Sequence, residues 1–478
     1  MKNTIIGREK EIKVLKSCVE SNKPELVAVI GRRRVGKTFL IKQSYQSTID
    51  FELTGLQNAT KSDQIQNFIF AFRNAFPDEE IDKKPTSWLE AFFLLSTTLE
   101  KNNQGEKMIV FLDELPWLAT KRSSFLTGLG WFWNSWAVNQ NIIIVICGSA
   151  ASWMIEKVIN DKGGLHNRVT QIMLLSPFTL GETEAFFKAK NIHLNRYHIT
   201  QLYMAMGGIP MYLNQVKASL SAIQNIQAIC FERDGYLRKE FTRLFASLFD
   251  NATNHLKIIR ALASKKMGMT RKEIIKFTKL KNGGTLSTTL DELNQSGFIE
   301  IYSSFGKKKQ MSLYRLIDPY TLFYLTFIES LDSNTKVDFT KLSDLQNFKS
   351  WSGYAFENIC FLHIDQIRKA LGISGIYTSI SSFFASPEKN ISGAQIDLLI
   401  DRGDQSINLC EIKYSNKNYT VTKKDVKNIE NKKRVFQHHT KSNKHIFTSL
   451  ITTHGVAENA NRINYINQVV VLDDLFDV

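Results

Sequence analysis

Prolines are scarce here, eight in 478 residues, so no Pro-rich linker marks a domain boundary and boundaries must be read from changes of pattern. There is no internal repeat and no low-complexity tract. Cysteine is also sparse. The five thiols, Cys18, Cys147, Cys230, Cys360 and Cys410, lie far apart with no CxxC pair, which argues against a structural zinc and against a disulfide framework. Residues 1–12 lack the apolar stretch of a signal peptide. The longest apolar run, beginning at Ile142, falls far short of the about 20 residues of a membrane span. These absences point to a soluble, cytoplasmic protein without a membrane partner. Acids are the other shortage: 46 Asp and Glu against 61 Lys and Arg leave a formal charge of +15. Such a surplus attracts polyanions, nucleic acid first.

At about 100–200 residues per domain the length suggests about three domains. Residues 1–175 alternate helical stretches with continuous apolar runs, Leu26–Ile30, Met108–Leu112 and Ile142–Cys147. Continuous rather than alternating runs are what strands buried on both faces show, so an α/β, doubly wound parallel sheet is expected. Residues 176–245 read as helices. Residues 246–335 read as three short helices and a β-hairpin. Residues 336–478 return to α/β, with strands near 395–413, 445–452 and 467–472.

Gly31-Arg32-Arg33-Arg34-Val35-Gly36-Lys37-Thr38 fits G-x-x-x-x-G-K-[ST], follows a strand and opens a helix beginning Thr38-Phe39. Glycines there permit a strained backbone and close approach of phosphate, whose charge then meets backbone amides and a helix N-terminus. Lys37 is expected to reach the β- and γ-phosphates and Thr38 to ligate Mg2+. The strand Met108–Leu112 delivers Asp113 and Glu114 at its carboxyl end. Asp113 suits the Mg2+ side of an ATP site, and Glu114 the polarisation of the attacking water. Gly148-Ser149 ends the next strand, where Ser149 could sense the γ-phosphate or simply turn the chain. Arg168, just before the apolar run Gln171–Leu175, is either a finger acting on a neighbouring subunit's nucleotide, hence a homo-oligomer, or a surface arginine.

Taken in order, Ile6-Gly-Arg8-Glu9, the P-loop, Leu112-Asp-Glu-Leu-Pro-Trp117, Ile146-Cys-Gly-Ser149, Leu175-Ser-Pro-Phe178 and Met206-Gly-Gly-Ile-Pro-Met-Tyr-Leu213 resemble the archaeal-type ATPase family, within the STAND-like branch of AAA+ P-loop ATPases. The resemblance covers residues 1–245. It implies that Arg8 lies near the adenine and that Gly207–Pro210 belongs to a helical lid, residues 176–245. The sensor arginine of the lid is open between Arg238 and Arg243.

The segment Met269–Thr278 reads as one amphipathic helix and Gly283–Gly297 as the next. A hairpin, Phe298–Tyr302 with Gln310–Leu316, turns around Gly306-Lys307-Lys308-Lys309. This pattern resembles a winged helix-turn-helix. Thr285, Ser287 and Thr288 would face a DNA groove and Lys307–Lys309 would touch phosphates. Asp291 and Glu292 on the same helix oppose DNA, so a protein partner is the alternative.

Asp397 sits on an alternating run that turns at Arg402-Gly-Asp404 into Ile407–Lys413. With a loop over 402–406, Asp397 lies opposite Glu411, on the face that also carries Lys413. Opposed Cβ atoms are about 5 Å apart, so the two carboxylates could share one Mg2+, with Lys413 to hold the scissile phosphate or orient water. The spacing resembles the PD-(D/E)xK fold of restriction-endonuclease-like proteins, and that resemblance implies a third acid on the preceding helix, for which Glu357 fits. Residues 413–444 hold ten Lys and Arg against Asp425 and Glu430, a solvated face or a track along DNA phosphates. The expected function is an ATPase, with ATP and Mg2+ as cofactors, whose nucleotide cycle gates DNA binding and Mg2+-dependent DNA cleavage. The alternative is a nucleotide-switched regulator, binding DNA or protein, with an inactive nuclease fold.

Overall fold

The computed structural model describes residues 4–477 except 121, 161, 250, 266, 304, 306–311, 333–336 and 389–391. The expected hairpin turn around Gly306, with Lys307–Lys309, lies outside the described residues. The chain divides into two compact units, Met1–Ser176 and Pro177–Val478. No described helix is long and apolar enough to cross a membrane.

The first unit is an α/β P-loop fold around a five-stranded parallel sheet. Its strands are β1 (Glu25–Ile30), β2 (Phe51–Thr54), β3 (Met108–Asp113), β4 (Ile142–Gly148) and β5 (Gln171–Leu174), ordered β2-β3-β4-β1-β5. Every residue of β3 and β4 is buried, which explains their unbroken apolar runs: helices cover both faces. On one face Phe68, Phe72, Trp88, Phe92, Phe125 and Phe132 fill the core. The helix Lys61–Ala75 beneath them starts at a capping box in which Thr60 and Asp63 satisfy each other's backbone donors. β2 escapes the apolar-run criterion. It is a four-residue edge strand, Phe-Glu-Leu-Thr, with only alternate residues buried.

The second unit begins with helices. Helix Leu180–Ala189 opens on a capping box, Thr179 with Glu182, and is followed by helix Arg196–Met206. Gly207 holds φ 68°, and Phe178 N donates to Gly208 O at 2.7 Å. A Cβ on Gly208 would stand 1.9 Å from Phe178 O, so the paired glycines serve a backbone-to-backbone contact.

Next come helices Thr253–Ala263, Arg271–Thr278 and Gly284–Gln295, with β6 (Met269–Thr270), β7 (Ile299–Ser303) and β8 (Ser312–Leu316) in the order β6-β8-β7. Met269 and Thr270, expected to be helical, instead pair with Tyr314 and Leu313. The helix starts at Arg271 because the Thr270 side chain caps it together with Glu273.

The chain ends in a second five-stranded sheet. Helix Gln346–Leu362 precedes β9 (Thr378–Ala385), β10 (Ala394–Arg402) and β11 (Ser406–Lys413), an antiparallel meander. Helix Lys423–Thr440 then leads to β12 (His445–Thr452) and β13 (Gln468–Val471), both parallel to β11. β9 was not expected: its sequence, Thr-Ser-Ile-Ser-Ser-Phe-Phe-Ala, is half serine and threonine.

Candidate nucleotide site and acidic hairpin

In the first unit the carboxyl ends of β1, β3 and β4 converge, the place where open α/β sheets bind ligands. The loop 31–36 leaves β1 and enters helix Lys37–Tyr45 through Gly36, at φ 95°. Nothing lies within 4 Å of a Cβ built on Gly36, whereas one on Gly31 would meet Leu175 O at 2.4 Å. Gly36 therefore serves conformation and Gly31 serves close packing against the end of β5. The buried Lys37 donates to Gly31 O at 2.8 Å and to Arg32 O at 3.2 Å, so its ammonium is folded into the loop that would cradle phosphate. Thr38 Oγ1 donates to Asp113 Oδ2 at 2.6 Å. Two hard oxygen donors side by side at a helix N-terminus fit Mg2+ bound with a nucleotide.

Asp113 is buried, and its Oδ1 accepts from the Glu114 amide at 2.9 Å. Glu114 takes the left-handed conformation, φ 48°, an uncommon one for a non-glycine residue and one worth a functional explanation. The turn directs its carboxylate toward β4, where Oε2 accepts from Ser149 Oγ at 2.8 Å and from Ser149 N at 3.3 Å. Thr38, Asp113, Glu114 and Ser149 thus form one hydrogen-bonded chain across three element ends. Gly55, which the sequence reading passed over, permits it: its N donates to Asp113 O at 3.0 Å, and a Cβ there would stand 2.7 Å from Glu114 O. A glycine directly after an edge strand was the available signal.

Arg8, also left-handed at φ 63°, is buried and donates to Ser176 O at 2.7 Å and Val35 O at 3.4 Å. It ties the P-loop backbone to the segment after β5. The Arg33 guanidinium lies 5.8 Å from the centroid of the Trp117 ring. Arg32 and Val35 are buried, and Phe39 is 43% exposed. Arg168 is exposed in the turn before β5. In the second unit Arg238 donates to Phe231 O and to Asp332 O, bonds that hold a loop, while Arg243 is exposed on helix Glu240–Leu248.

At the C-terminal hairpin, Leu398 pairs with Cys410 and Leu399 with Leu409; one further step along that register sets Asp397 opposite Glu411. The pairing of β10 with β9 slips by one residue between Ile396 and Leu399, so Asp397 sits at a β-bulge, a device that re-aims side chains. The acids do not gather into a ligand set, however. Glu411 is buried against Lys432 Nζ, with Lys413 Nζ at 3.5 Å on its other oxygen. Glu357 Oε2 lies 3.3 Å from Arg315 Nη2, and Asp397 Oδ1 accepts from Gln395 at 2.6 Å. Among the described residues no group of three or more His, Cys, Asp or Glu is placed to hold a metal. The expected triad Glu357, Asp397 and Glu411 is thus not brought into one group: Glu357 faces Arg315, Glu411 faces Lys432 and Lys413, and Asp397 bonds Gln395. Two basic residues also leave the expected DNA track, because Lys432 faces Glu411 and Lys444 pairs with Asp401. Lys432 was legible in part. It falls on the buried stripe Val426, Ile429, Lys432, Val435, Phe436.

On the middle module's helix Gly284–Gln295, Thr285 and Thr288 are exposed. Glu292, expected to oppose DNA, accepts from His255 at 2.7 Å.

Comparison with known proteins agrees with the first unit. Residues 5–216 match the family described as an ATPase domain predominantly from Archaea. An uncharacterized protein of Methanocaldococcus jannaschii is 24% identical over 428 residues, covering 89% of this chain and 90% of that one. The Walker-type ATPase of Pyrococcus abyssi has a similar fold, with a TM-score of 0.51 at 18% identity over 68% of this chain and 97% of that one.

Proposed function

We propose that the ATPase domain drives a switch: nucleotide bound at Lys37, Thr38, Asp113 and Glu114 sets the affinity of the second unit for DNA. The hydrogen-bonded chain from Thr38 to Ser149 supports hydrolysis as well as binding, since it fixes a carboxylate, Glu114, beside the phosphate loop. Mg2+ with the nucleotide would neutralise phosphate charge at Thr38 and Asp113. Lys37 binds phosphate, Glu114 takes up the proton of water, and Ser149 orients Glu114.

The observation that carries the DNA reading is the helix Lys423–Thr440. Its buried stripe packs on the sheet, and Lys423, Lys424, Lys427 and Arg434 point to solvent. A cationic helix face of this kind suits a phosphate backbone. The three helices and small sheet of residues 253–316 are consistent with a winged helix-turn-helix beside it, and Arg168 with assembly of several copies. Fluorescence anisotropy with labelled duplex DNA tests the reading. Changing Lys423, Lys424 and Lys427 together to Glu is expected to weaken binding at least about tenfold and to flatten its salt dependence. Unchanged affinity would remove the DNA reading.

DNA cleavage at the hairpin is a second reading. It is favoured by the helix–three-strand meander–helix–strand order of the C-terminal domain and by Asp397 opposite Glu411 with Lys413 two residues on. Nicking of supercoiled DNA in Mg2+ or Mn2+, lost in Asp397→Ala, would support it; absence of nicking with every nucleotide would leave a binding domain.

A further inference from the structure

Two acids of the hairpin region are each met by a buried cation from another element, and the inference drawn here rests on the nuclease-like fold proposed for that domain, not on cleavage by it. Lys432, on the helix after β11, is 8% exposed, and Glu411 is 5% exposed. A buried ammonium is tolerated only with a partner, and Glu411 supplies it. Arg315, on β8, is 3% exposed. Its Nε donates to Asn358 Oδ1 at 2.6 Å and its Nη2 faces Glu357, while its guanidinium lies 4.9 and 4.6 Å from the ring centroids of Tyr354 and Phe361. Both cations are therefore built in, not stray surface chains folded over the site.

A divalent cation binds carboxylates through their uncompensated negative charge. At Glu411 that charge is met by two ammonium groups, and at Glu357 by a guanidinium. We propose that Lys432 and Arg315 are internal counter-cations that close the hairpin to divalent metal in the folded protein. Arg315 sits on β8, so one of the two locks belongs to the module expected to meet DNA. The converse follows: with Lys432 removed, Glu411 is a buried carboxylate without its main partner, and a divalent ion is the species that restores its charge balance.

The test is Mn2+ binding to the full chain without nucleotide, in an Asp113→Asn background that silences the P-loop oxygens, followed by electron paramagnetic resonance and by thermal melting. The wild-type hairpin is expected to take up no Mn2+ at micromolar concentration and to melt at the same temperature with or without it. Lys432→Met is expected to melt lower, to bind Mn2+ at least about tenfold more tightly, and to recover stability as Mn2+ is added. Adding Glu411→Gln to Lys432→Met should abolish both effects. A folded Lys432→Met with no gain in Mn2+ affinity overturns the proposal. So does a wild-type hairpin that binds Mn2+ tightly through Glu411. If Lys432→Met does not fold, wild type against Glu411→Gln decides: uptake that depends on Glu411 overturns it, and equal, weak uptake supports it. Metal-dependent nicking by the wild type that is lost in Asp397→Ala would also overturn the proposal, since it needs metal at the hairpin; absence of nicking leaves the Mn2+ titration to decide.

Discussion

Lys37 bonds back into the phosphate loop and Glu114 bonds Ser149, and on the proposed reading the two separate binding from turnover. On that reading Lys37 would bring a charge to the β- and γ-phosphates, so Lys37→Ala is expected to lose ATP hydrolysis and most nucleotide affinity, read by a labelled-nucleotide titration. Glu114→Gln keeps the shape and the contact with Ser149 but is a far weaker proton acceptor. We expect ATP binding within about threefold of wild type and turnover reduced at least about 100-fold. Turnover at the wild-type rate in Glu114→Gln would remove the assigned role. The places of Lys37, Thr38, Asp113 and Glu114 in the fold were legible in the sequence because each occupies a fixed step of a strand–loop–helix or a strand end. The orientation of Glu114 by Ser149 was not, because it depends on the left-handed turn at Glu114, and nothing in a non-glycine residue announces such a turn.

At the scale of elements, two contacts of the second unit make separate demands. Gly208 leaves no room for a Cβ against Phe178 O. Gly208→Ala is therefore expected to lower the unfolding free energy by about 3 kcal/mol, at the upper end of overpacking costs, measured by urea denaturation. His363 caps helix Leu180–Ala189 from inside: its Nε2 accepts from Leu180 N at 2.9 Å. Burial pushes its pKa down from 6.5 to about 4. The fold thus favours the neutral ring, and the unfolded chain takes up the proton first as pH falls. The stability tied to His363 is complete above about pH 6.5 and lost between pH 6.5 and 4, about 3 kcal/mol across the window. Denaturation at pH 7 and pH 4.5 should show that loss in wild type and a smaller one in His363→Gln.

The buried strands β1, β3 and β4 could be read as elements because their apolar runs are unbroken. β2, β6 and β9 could not. They are an edge strand, a two-residue strand and a serine-rich strand, each created by its neighbours rather than by its own composition. The hairpin register was legible from alternation, but the cations on Glu411 and Glu357 were not. They arrive from 21 and 42 residues away in the chain, and only the packing of helix and sheet brings them in.

At the scale of the whole molecule the questions are assembly and coupling. Arg168 is exposed and close in sequence to β5. If it completes a neighbour's site, specific ATPase activity rises with protein concentration, and Arg168→Ala binds ATP but turns it over at least about tenfold more slowly. Mixing Arg168→Ala with Lys37→Ala should then restore part of the activity. Activity independent of concentration in a monomeric wild type would leave Arg168 a surface residue.

Coupling is the central claim, and one measurement reaches it directly: the duplex-DNA affinity of full-length Glu114→Gln with ATP, set against the same protein with ADP and with no nucleotide, at one fixed salt concentration. Because Glu114→Gln is expected to hold ATP without consuming it, the three states can be compared at equilibrium. We expect affinity in ATP to differ from that in ADP by at least about tenfold, a coupling of about 1.4 kcal/mol. Equal affinity in all three states, with nucleotide binding verified in the same samples, would contradict a nucleotide-gated switch.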